Sequence, residues 1–330
     1  MQRIGNLRET FLSFSNLHTA WKKAFKSTKT AEAYEYSFHL ERNLFALQEE
    51  LVAGSYLPGD YRYFSITDPK ERIISVAPFR DRIVHHALVN ILEPIYERAF
   101  FYHSYATRKN KGAHKAISQA QAYMRKNRWY LKMDIAKYFD SIDHTILFDL
   151  LSRKLKDKFI LSVCRKIMDK GGDGERGLPI GNLTSQFWAN VYLDRFDHFI
   201  KDELALPYYL RYMDDFVVFS NEKDFLKRLR RLMEDYLLLN LKLYTKPAAT
   251  MLNSRLHGLP FLGVRIFPST IRIKRENFKR SFARLKLREK EYTQGIISYG
   301  KYSASMMSLI SHLTYWNSRE LLKKEMLDVV

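Results

Sequence analysis

The sequence predicts an α+β fold, in which an antiparallel sheet lies between helical N-terminal and C-terminal parts. Apolar and aromatic runs bounded by polar turns predict the strands, most clearly at residues 130–135 and 211–219. Apolar residues at helical spacing predict two or three helices within residues 7–53 and another at residues 222–240. A chain of 330 residues is long enough for two or three domains and a sizeable core.

The composition favours a polyanionic partner. The net charge of +19 and the pI near 9.7 indicate nucleic acid before a membrane surface. Cys164 is the single cysteine, which excludes an intramolecular disulfide and a cysteine-rich zinc site. The first residues do not resemble a signal peptide, and no run reaches the roughly 20 apolar residues that span a bilayer. We therefore expect a soluble, cytoplasmic protein that makes no membrane contact.

Two adjacent carboxylates lie within the clearest hairpin. Asp214 and Asp215 stand in the run RYMDDFVVF, between β-branched and aromatic residues. Like charges this close raise each other's pKa, and a divalent cation relieves the repulsion. Mg²⁺ usually takes one or two carboxylates together with substrate phosphates. A simple turn explains the same pair, since Asp is a common turn residue.

A third carboxylate interrupts another predicted strand. Asp134 breaks the apolar run of residues 130–135, and a carboxylate there needs a partner. If the two strands are neighbours, Asp134 and Asp214 can hold two metal ions about 4 Å apart, the arrangement that assists phosphoryl transfer. Asp140 and Asp143 precede an apolar segment and are predicted to be structural acids at a helix start.

Arginines upstream of these acids are candidates for phosphate binding. A predicted β-ribbon at residues 61–78, with a turn at residues 68–71, contains Arg72, and the helix after it begins with Arg80, Asp81 and Arg82. Arginine offers planar bidentate donors, which suit a triphosphate. Surface salt bridges through Asp81 explain the same residues, and both interpretations stay open.

Two further segments are basic enough to follow a nucleic-acid backbone, with a solvated surface as the alternative. One is the run from residue 272 to residue 290. The other is a loop around Gly112 that contains Arg108, Lys109, Lys111 and Lys115. Between them, short strands are predicted at LKLYT (241–245) and PFLGVRIF (260–267), and Asn182 or Gly181 is predicted to cap a helix.

Taken in order, these motifs resemble those of reverse transcriptases. Asp134 in a strand before a helix, GLPIGNLTSQ at residues 177–186, YMDD in a hairpin and FLG at residues 261–263 follow the order of that family. RIISVAPFRDRIVHHAL resembles the fingers motifs of its bacterial branch. The resemblance covers residues 50–270 and implies a right-hand polymerase. Its parts would be an N-terminal helical extension (1–57), fingers (58–128), a palm with an antiparallel sheet (129–270) and a basic thumb (271–330).

Residues 180–186 indicate which branch of this family the sequence resembles. Most reverse transcriptases carry Gln-Gly and Ser-Pro where this chain has Ile180-Gly181 and Ser185-Gln186. The aliphatic residue before glycine and the Ser-Gln pair resemble the reverse transcriptases of diversity-generating retroelements, which copy RNA with errors opposite template adenines. The length of this chain is also similar to that of these enzymes. We expect no RNase H, endonuclease or maturase extension within residues 271–330.

The resemblance implies a role for each matching residue. Asp134, Asp214 and Asp215 match the catalytic acids, and two Mg²⁺ ions are expected on these acids and the Ile135 carbonyl. Phe139 matches the aromatic gate against a ribose 2′-OH, so the expected substrates are dNTPs. The other nucleotide-binding candidates are Arg72, Arg80, Arg82, the amides of Lys137 and Tyr138, Ile180, Gly181 and Lys246, with Lys242 as the alternative to Lys246.

Fidelity and primer binding are implied for two further groups. Ile180 replaces a glutamine that positions the incoming nucleotide, and an aliphatic side chain cannot donate that hydrogen bond. Arg72, Ile180 and Gln186 are therefore the template and fidelity candidates, while Phe261, Leu262 and Gly263 match the primer grip.

The expected function is error-prone, RNA-directed DNA synthesis. Its expected partners are a template RNA, the RNA/DNA hybrid and a small basic oligomeric accessory variability protein. A retron, group II intron-like or defence-associated reverse transcriptase of ordinary fidelity is the first alternative, although Ile180 and Gln186 argue against it. A basic RNA-binding protein with an inactive polymerase fold is the second, and metal-dependent nucleotide incorporation discriminates between the two classes.

Overall fold

A computed structural model describes residues 3–67, 71–172 and 174–316, with no side-chain detail at residues 312–314. Its helices are α1 (Arg8–Leu12), α2 (Phe14–Lys26), α3 (Ala31–Phe38), α4 (Leu40–Ala53), α5 (Phe79–Glu97), α6 (Ala113–Lys126), α7 (Tyr138–Ser141), α8 (His144–Lys154), α9 (Lys158–Lys170), α10 (Leu183–His198), α11 (Lys223–Leu241), α12 (Arg275–Thr293) and α13 (Tyr299–Tyr315). Its strands are β1 (Arg62–Ile66), β2 (Arg72–Val76), β3 (Trp129–Asp134), β4 (Tyr209–Tyr212), β5 (Asp215–Ser220), β6 (Met251–Ser254), β7 (Leu259–Phe261), β8 (Val264–Ile266) and β9 (Ile271–Ile273).

The N-terminal part contains more helices than the apolar spacing predicted. Ser13 leaves the helical conformation and its side chain accepts a hydrogen bond from the Asn16 amide, so a new helix, α2, begins there. His39 is also non-helical and separates α3 from α4. Because the apolar period continues across both breaks, hydrophobic spacing alone did not reveal them.

The central sheet has the strand order β4-β5-β3-β6, and each pair is antiparallel. The prediction that the two acidic strands are neighbours is confirmed, with Asp134 directly opposite Asp215. One face of the sheet, with Met133 and Phe216, packs into a core with α5 and α10. The other face, with Tyr130 and Val217, packs into a second core with α6 and β7–β9. Since side chains alternate along a strand, Asp134 and Asp215 lie on this second face.

Two of the short strand predictions need correction. LKLYT does not form a strand: Lys242 is left-handed (φ 51°) and ends α11, and only Thr245 forms a bridge, to Ile135. PFLGVRIF is not one strand but two, β7 and β8, joined by a turn at Leu262 and Gly263. β6 and β9 were not predicted.

A separate two-stranded ribbon, β1–β2, confirms the prediction for residues 61–78, although most of its predicted turn lies outside the described residues. The ribbon joins the rest of the molecule through a hydrogen bond of 2.8 Å from the Ser75 amide to the Ile180 carbonyl. In the described part of the chain, no helix is both long and apolar enough to cross a bilayer.

Candidate active site

The acidic turn is a two-residue hairpin between β4 and β5. Tyr212 pairs with Asp215, so Met213 and Asp214 form the turn itself. Met213 has φ 57°, a left-handed conformation that such tight hairpin turns require and that a residue with a side chain rarely adopts. Strained backbone of this kind persists only where the surrounding structure enforces it, and it clusters at functional sites.

The structure brings the three predicted acids together. Asp134 ends β3 opposite Asp215, and the Ile135 amide donates to the Asp214 carbonyl at 3.3 Å. Burial, and secondarily the charge of Asp134, raises the pKa of Asp214, while Arg72 and Lys132 oppose the shift. Burial also raises the pKa of Asp215 to about 7, against the lowering effect of Lys132. The site therefore concentrates negative charge that a cation would stabilise.

Lys132 supplies a positive charge that offsets part of this negative charge. It lies two residues before Asp134 on the same face of β3, and its ammonium is 2.9 Å from Asp215 Oδ1. The two side chains are only 12% and 17% exposed. The contact is close, yet among the described residues no well-directed hydrogen bond reaches this Oδ1. Oδ1 is therefore held by the charge of Lys132 while no metal ion is bound.

The oxygen atoms available here fit Mg²⁺ bound jointly with a substrate. Among the described residues, no group of three or more His, Cys, Asp or Glu side chains is arranged to hold a metal ion. Mg²⁺ does not need one, because it retains water and substrate-phosphate ligands around one or two carboxylates. The flanking bonds from Lys246 to Asp134 and from Ala136 to Tyr244 place the Ile135 carbonyl on the side of the acidic turn.

The segment after Asp134 turns sharply into α7. Lys137 has φ 45° and precedes this short helix. Tyr138 is buried, and its hydroxyl donates to the Ala189 carbonyl at 2.5 Å. Phe139 is partly buried against the first core, with its ring centroid 5.7 Å from that of Tyr138. The packing of Tyr138 fixes the backbone on which the predicted phosphate-binding amides and the predicted ribose gate lie.

The two candidate lysines occupy different places. The Lys246 amide donates to the Asp134 carbonyl at 2.7 Å, so this residue adjoins the acidic strand. Lys242 instead pairs with Asp143, with 2.6 Å between Nζ and Oδ2. Asp143 caps α8 by accepting from the Ile146 amide, as predicted. The geometry therefore favours Lys246 near the reacting groups.

The three candidate arginines lie in different surroundings. Arg72 is exposed at the start of β2, and its charge acts on Asp214. Arg80 forms an ion pair with Glu50 and lies over the Tyr56 ring at 5.1 Å. The salt-bridge interpretation is thus right for Arg80, although its partner is Glu50. Asp81 turns away from the arginines, because its carboxylate accepts from the Tyr56 hydroxyl at 2.9 Å and from the Gly59 amide at 2.7 Å.

Arg82 lines a cavity of about 370 Å³ together with Gly181, Asn182 and Gln186. Gly181 has φ 114°, and a Cβ added to it would lie 2.9 Å from Ile74 Cγ2 and 3.0 Å from the Ser75 carbonyl oxygen. The Ile180–Gly181 segment is therefore in close contact with β2. This contact connects the ribbon, which carries Arg72, with the segment that leads into α10 and carries Ile180 and Gln186. These three residues are the fidelity candidates.

The predicted primer grip forms the tight turn between β7 and β8. Phe261 is buried, while Leu262 (φ 45°) and Gly263 (φ 85°) form the turn. The Gly263 carbonyl accepts from the Lys274 amide at 3.2 Å and from Asn277 Nδ2 at 2.9 Å. The turn is therefore tied directly to the start of α12.

The loop around Gly112 is less available than its sequence suggested. The Arg108 side chain is only 4% exposed and pairs with Glu97 at 2.8 Å. It also donates to the carbonyls of Phe101 and Ser104. Arg108 is therefore structural, and the proposed phosphate contact does not extend to it.

Sequence reasoning missed two charged residues at the site, Lys132 and Arg211. Each interrupts an apolar run, as Asp134 does, and that interruption was the available signal. Arg211 precedes the turn and donates through Nη1 to the Met213 carbonyl at 2.9 Å.

Comparison with known families agrees with this geometry. Residues 67–266 match the family described as "Reverse transcriptase (RNA-dependent DNA polymerase)". The chain belongs to the reverse transcriptase family. A putative COX1/OXI3 intron 2 protein of Saccharomyces cerevisiae is 31% identical over 140 residues, which are 40% of this chain and 16% of that protein. The group II intron-encoded protein LtrA of Lactococcus lactis is 28% identical over 201 residues, 58% of this chain and 33% of LtrA.

A solved structure supports the fold class. Apo telomerase from Candida tropicalis matches with a TM-score of 0.53 and 12% identity, over 68% of this chain and 50% of that one. The right-hand polymerase fold predicted for this reverse transcriptase is thereby confirmed. The chain spans 16% and 33% of the two curated relatives named above, so their likeness concerns the polymerase region and not their whole activity.

Proposed function

We propose that this reverse transcriptase is an active RNA-directed DNA polymerase that uses dNTPs and two Mg²⁺ ions. The observation that carries the proposal is the placement of Asp134 opposite Asp215, with Asp214 in the adjoining turn. The proposed divisions are the N-terminal extension, fingers, palm and thumb at residues 1–57, 58–128, 129–270 and 271–330. A cytoplasmic location stays a prediction.

In the proposed reaction, the primer 3′-oxygen forms a bond to the α-phosphorus of a dNTP, and the bond to pyrophosphate breaks. Asp134, Asp214 and the Ile135 carbonyl would hold the metal ions, with Asp215 as the third acid. Bound Mg²⁺ would supply charge neutralisation at the attacking and leaving oxygens. Arg72 and Arg82 would bind phosphates together with the amides of Lys137 and Tyr138, while Lys246 would lie near the leaving group. Arg80 is left out, because Glu50 engages it.

Nucleic-acid binding would use the grip turn and the basic thumb. Phe261, Leu262 and Gly263 would contact the primer, since their turn lies beside the start of α12. The exposed side chains of α12 include Arg275, Lys279, Lys286, Arg288 and Lys290. A basic helix of this kind suits the backbone of an RNA/DNA hybrid.

We further propose the diversity-generating retroelement branch, with copying that is error-prone opposite adenine. Ile180 supports this, because its side chain offers no hydrogen bond where most of the family has glutamine. Its carbonyl accepts a hydrogen bond from the Ser75 amide, and Ser75 lies on the same strand as Arg72. The two fidelity candidates are therefore on backbone segments that are hydrogen-bonded to each other. A small basic accessory variability protein and a structured template RNA are the partners proposed with this branch.

A group II intron-like enzyme of ordinary fidelity is the second candidate. The similarity to LtrA, a group II intron-encoded protein, favours it. The two candidates share the three aspartates and differ in the expected error spectrum.

Primer extension on a defined RNA template, followed by sequencing of the cDNA, tests both levels of the proposal. We expect Mg²⁺-dependent DNA synthesis with errors concentrated opposite adenine. Accurate DNA would keep the polymerase and favour the second candidate. RNA binding without synthesis, with and without the accessory protein and its RNA, would support an inactive RNA-binding protein.

A further inference from the structure

An ion pair between Arg211 and Asp197 lies behind the acidic turn, fully buried. Both side chains are 0% exposed, and Nη2 is 2.5 Å from Asp197 Oδ2. Nε donates to the same carboxylate at 2.8 Å and 3.0 Å. The Tyr209 hydroxyl adds a third donor, 2.6 Å from Oδ1. The orientation of the guanidinium is therefore set by one carboxylate.

The remaining nitrogen of this guanidinium reaches the turn. Arg211 Nη1 donates to the Met213 carbonyl at 2.9 Å and to Asn190 Oδ1 at 3.2 Å. Met213 is the left-handed residue that directly precedes Asp214. Because a left-handed non-glycine residue is unfavourable by itself, an external hydrogen bond to its carbonyl helps to hold that conformation.

Arg211 acts from the opposite side of the sheet to the substrate face. It pairs with Phe216, whose side chain packs in the first core, whereas Asp215 lies on the second face. A side chain that is fully buried on the rear face cannot touch a nucleotide at the acidic face. Arg211 instead reaches the acidic turn through its backbone, at the Met213 carbonyl.

The pair has firm anchors elsewhere. Asp197 and Asn190 belong to α10, and Asn190 Nδ2 donates to the Ala106 carbonyl and Thr107 Oγ1, both at 2.9 Å. The Arg211 backbone bonds with His103 and Tyr105 on the outer side of β4. The guanidinium is thus fixed by a helix and by a neighbouring segment, and the turn depends on it.

Stability alone does not explain a buried pair. Well-packed apolar residues of similar volume often stabilise a core as well, since they avoid the cost of desolvating two charges. An apolar residue, however, offers no donor to the Met213 carbonyl. Lysine carries the charge but lacks the rigid fork that binds a carboxylate and a carbonyl at once.

We propose that Arg211 is a positioning residue, which with Asp197 sets the position of Asp214 for metal binding by fixing the Met213 carbonyl. The proposal rests on the proposed function for its effect on turnover, whereas its effect on metal affinity can be measured independently. Residues that orient metal ligands from outside the first ligand shell commonly affect affinity or activity 10–100-fold.

The test compares the wild-type protein with Arg211→Lys and Tyr56→Phe. Tyr56→Phe is the control, because it removes a buried donor to a carboxylate, the Tyr56 hydroxyl that lies 2.9 Å from Asp81 Oδ1, away from α10 and from the segment 103–107 that hold Arg211. Mn²⁺ affinity is measured by electron paramagnetic resonance, and kcat and KM for single-nucleotide incorporation by primer extension. Thermal unfolding of each variant reports the stability lost.

We expect Arg211→Lys to weaken Mn²⁺ binding about tenfold and to lower kcat with little change in the KM for dNTP. High Mn²⁺ should partly restore turnover. Tyr56→Phe should lower stability and leave Mn²⁺ affinity unchanged. Equal Mn²⁺ affinity in wild type and Arg211→Lys, or an equal loss in both variants, would overturn the proposal.

Three further outcomes are decisive. If Arg211→Lys does not fold, Tyr209→Phe carries the test, because it removes only the hydroxyl that holds Asp197. We expect that variant to weaken Mn²⁺ binding about threefold, because one hydrogen bond from a neutral hydroxyl is lost, and unchanged affinity would refute the positioning role. If wild type binds Mn²⁺ but makes no DNA, the proposed function fails while the affinity comparison still decides the role of Arg211. Wild type that binds no Mn²⁺ would overturn the role itself.

Discussion

Lys132 and Asp215 are diagonal neighbours on the adjacent strands β3 and β5, with 2.9 Å between the ammonium and Oδ1. Lys132 also lies two residues from Asp134 on the same face of β3. This lysine therefore stabilises the site when no divalent cation is bound, because it offsets charge that three acids concentrate there. A bound metal ion would take over that role and repel the ammonium.

The first prediction concerns this lysine. Lys132→Met should lower the free energy of unfolding of the metal-free protein by about 2–4 kcal/mol, because it leaves a buried carboxylate without its cation. Added Mg²⁺ should recover more stability in the variant than in wild type. Thermal unfolding in EDTA and in Mg²⁺ measures both effects.

Lys242→Met is the matched control, since Lys242 pairs with Asp143 at 2.6 Å but its side chain is 52% exposed. Because solvent screens the lysine end of this pair, the loss should stay below about 1 kcal/mol and should not respond to Mg²⁺. Equal responses in the two variants would show that Lys132 has no special relation to the metal site.

The second prediction concerns fidelity. Ile180→Gln restores a side chain that can donate a hydrogen bond to the incoming nucleotide. One added hydrogen bond contributes up to about 1.5 kcal/mol, so errors opposite adenine should fall by up to about tenfold. Sequencing of cDNA made on one RNA template measures the change. Ile180→Val is the control and should keep the wild-type error spectrum. An unchanged error spectrum in Ile180→Gln would show that this side chain does not affect fidelity.

The third prediction concerns the contact between the ribbon and α10. Gly181→Ala should destabilise the protein by about 2–4 kcal/mol, because it combines a left-handed backbone with a steric clash. The new Cβ would lie 2.9 Å from Ile74 Cγ2. Urea unfolding measures the loss.

Gly112→Ala separates the two causes. Gly112 has a similar φ of 102°, but nothing lies within 4 Å of an added Cβ. This variant should therefore show only the backbone part, about 1–2 kcal/mol. If both alanine variants lose the same stability, the close approach of Gly181 to β2 does not matter energetically.

Much of the site could be predicted from sequence because its acids interrupt apolar runs. Asp134 and Asp214 stood out for that reason, and one antiparallel register then brought their strands together. Asp143 was predictable as a cap, since its preference acts over three residues. These features depend on local chemistry and on strand period.

The remainder depends on pairings that no local pattern contains. Arg80 could not be assigned because its partner, Glu50, lies 30 residues away on another helix. The polar loop suggested that Arg108 is exposed. Its side chain is in fact buried, where it pairs with Glu97 and donates to two backbone carbonyls. LKLYT has the composition of a strand, but α11 runs on to Leu241 and a left-handed Lys242 ends it.

The most direct test of the central claim compares wild type with Asp214→Asn in Mg²⁺-dependent primer extension on RNA, with RNA binding measured on the same samples. Asparagine keeps the size of the side chain and removes the charge that would hold a metal ion. Extension should be lost in Asp214→Asn while RNA affinity is retained, because the metal ions lose a ligand that the reaction needs. Extension by Asp214→Asn at a rate near that of wild type would contradict the assignment of this turn as the catalytic centre.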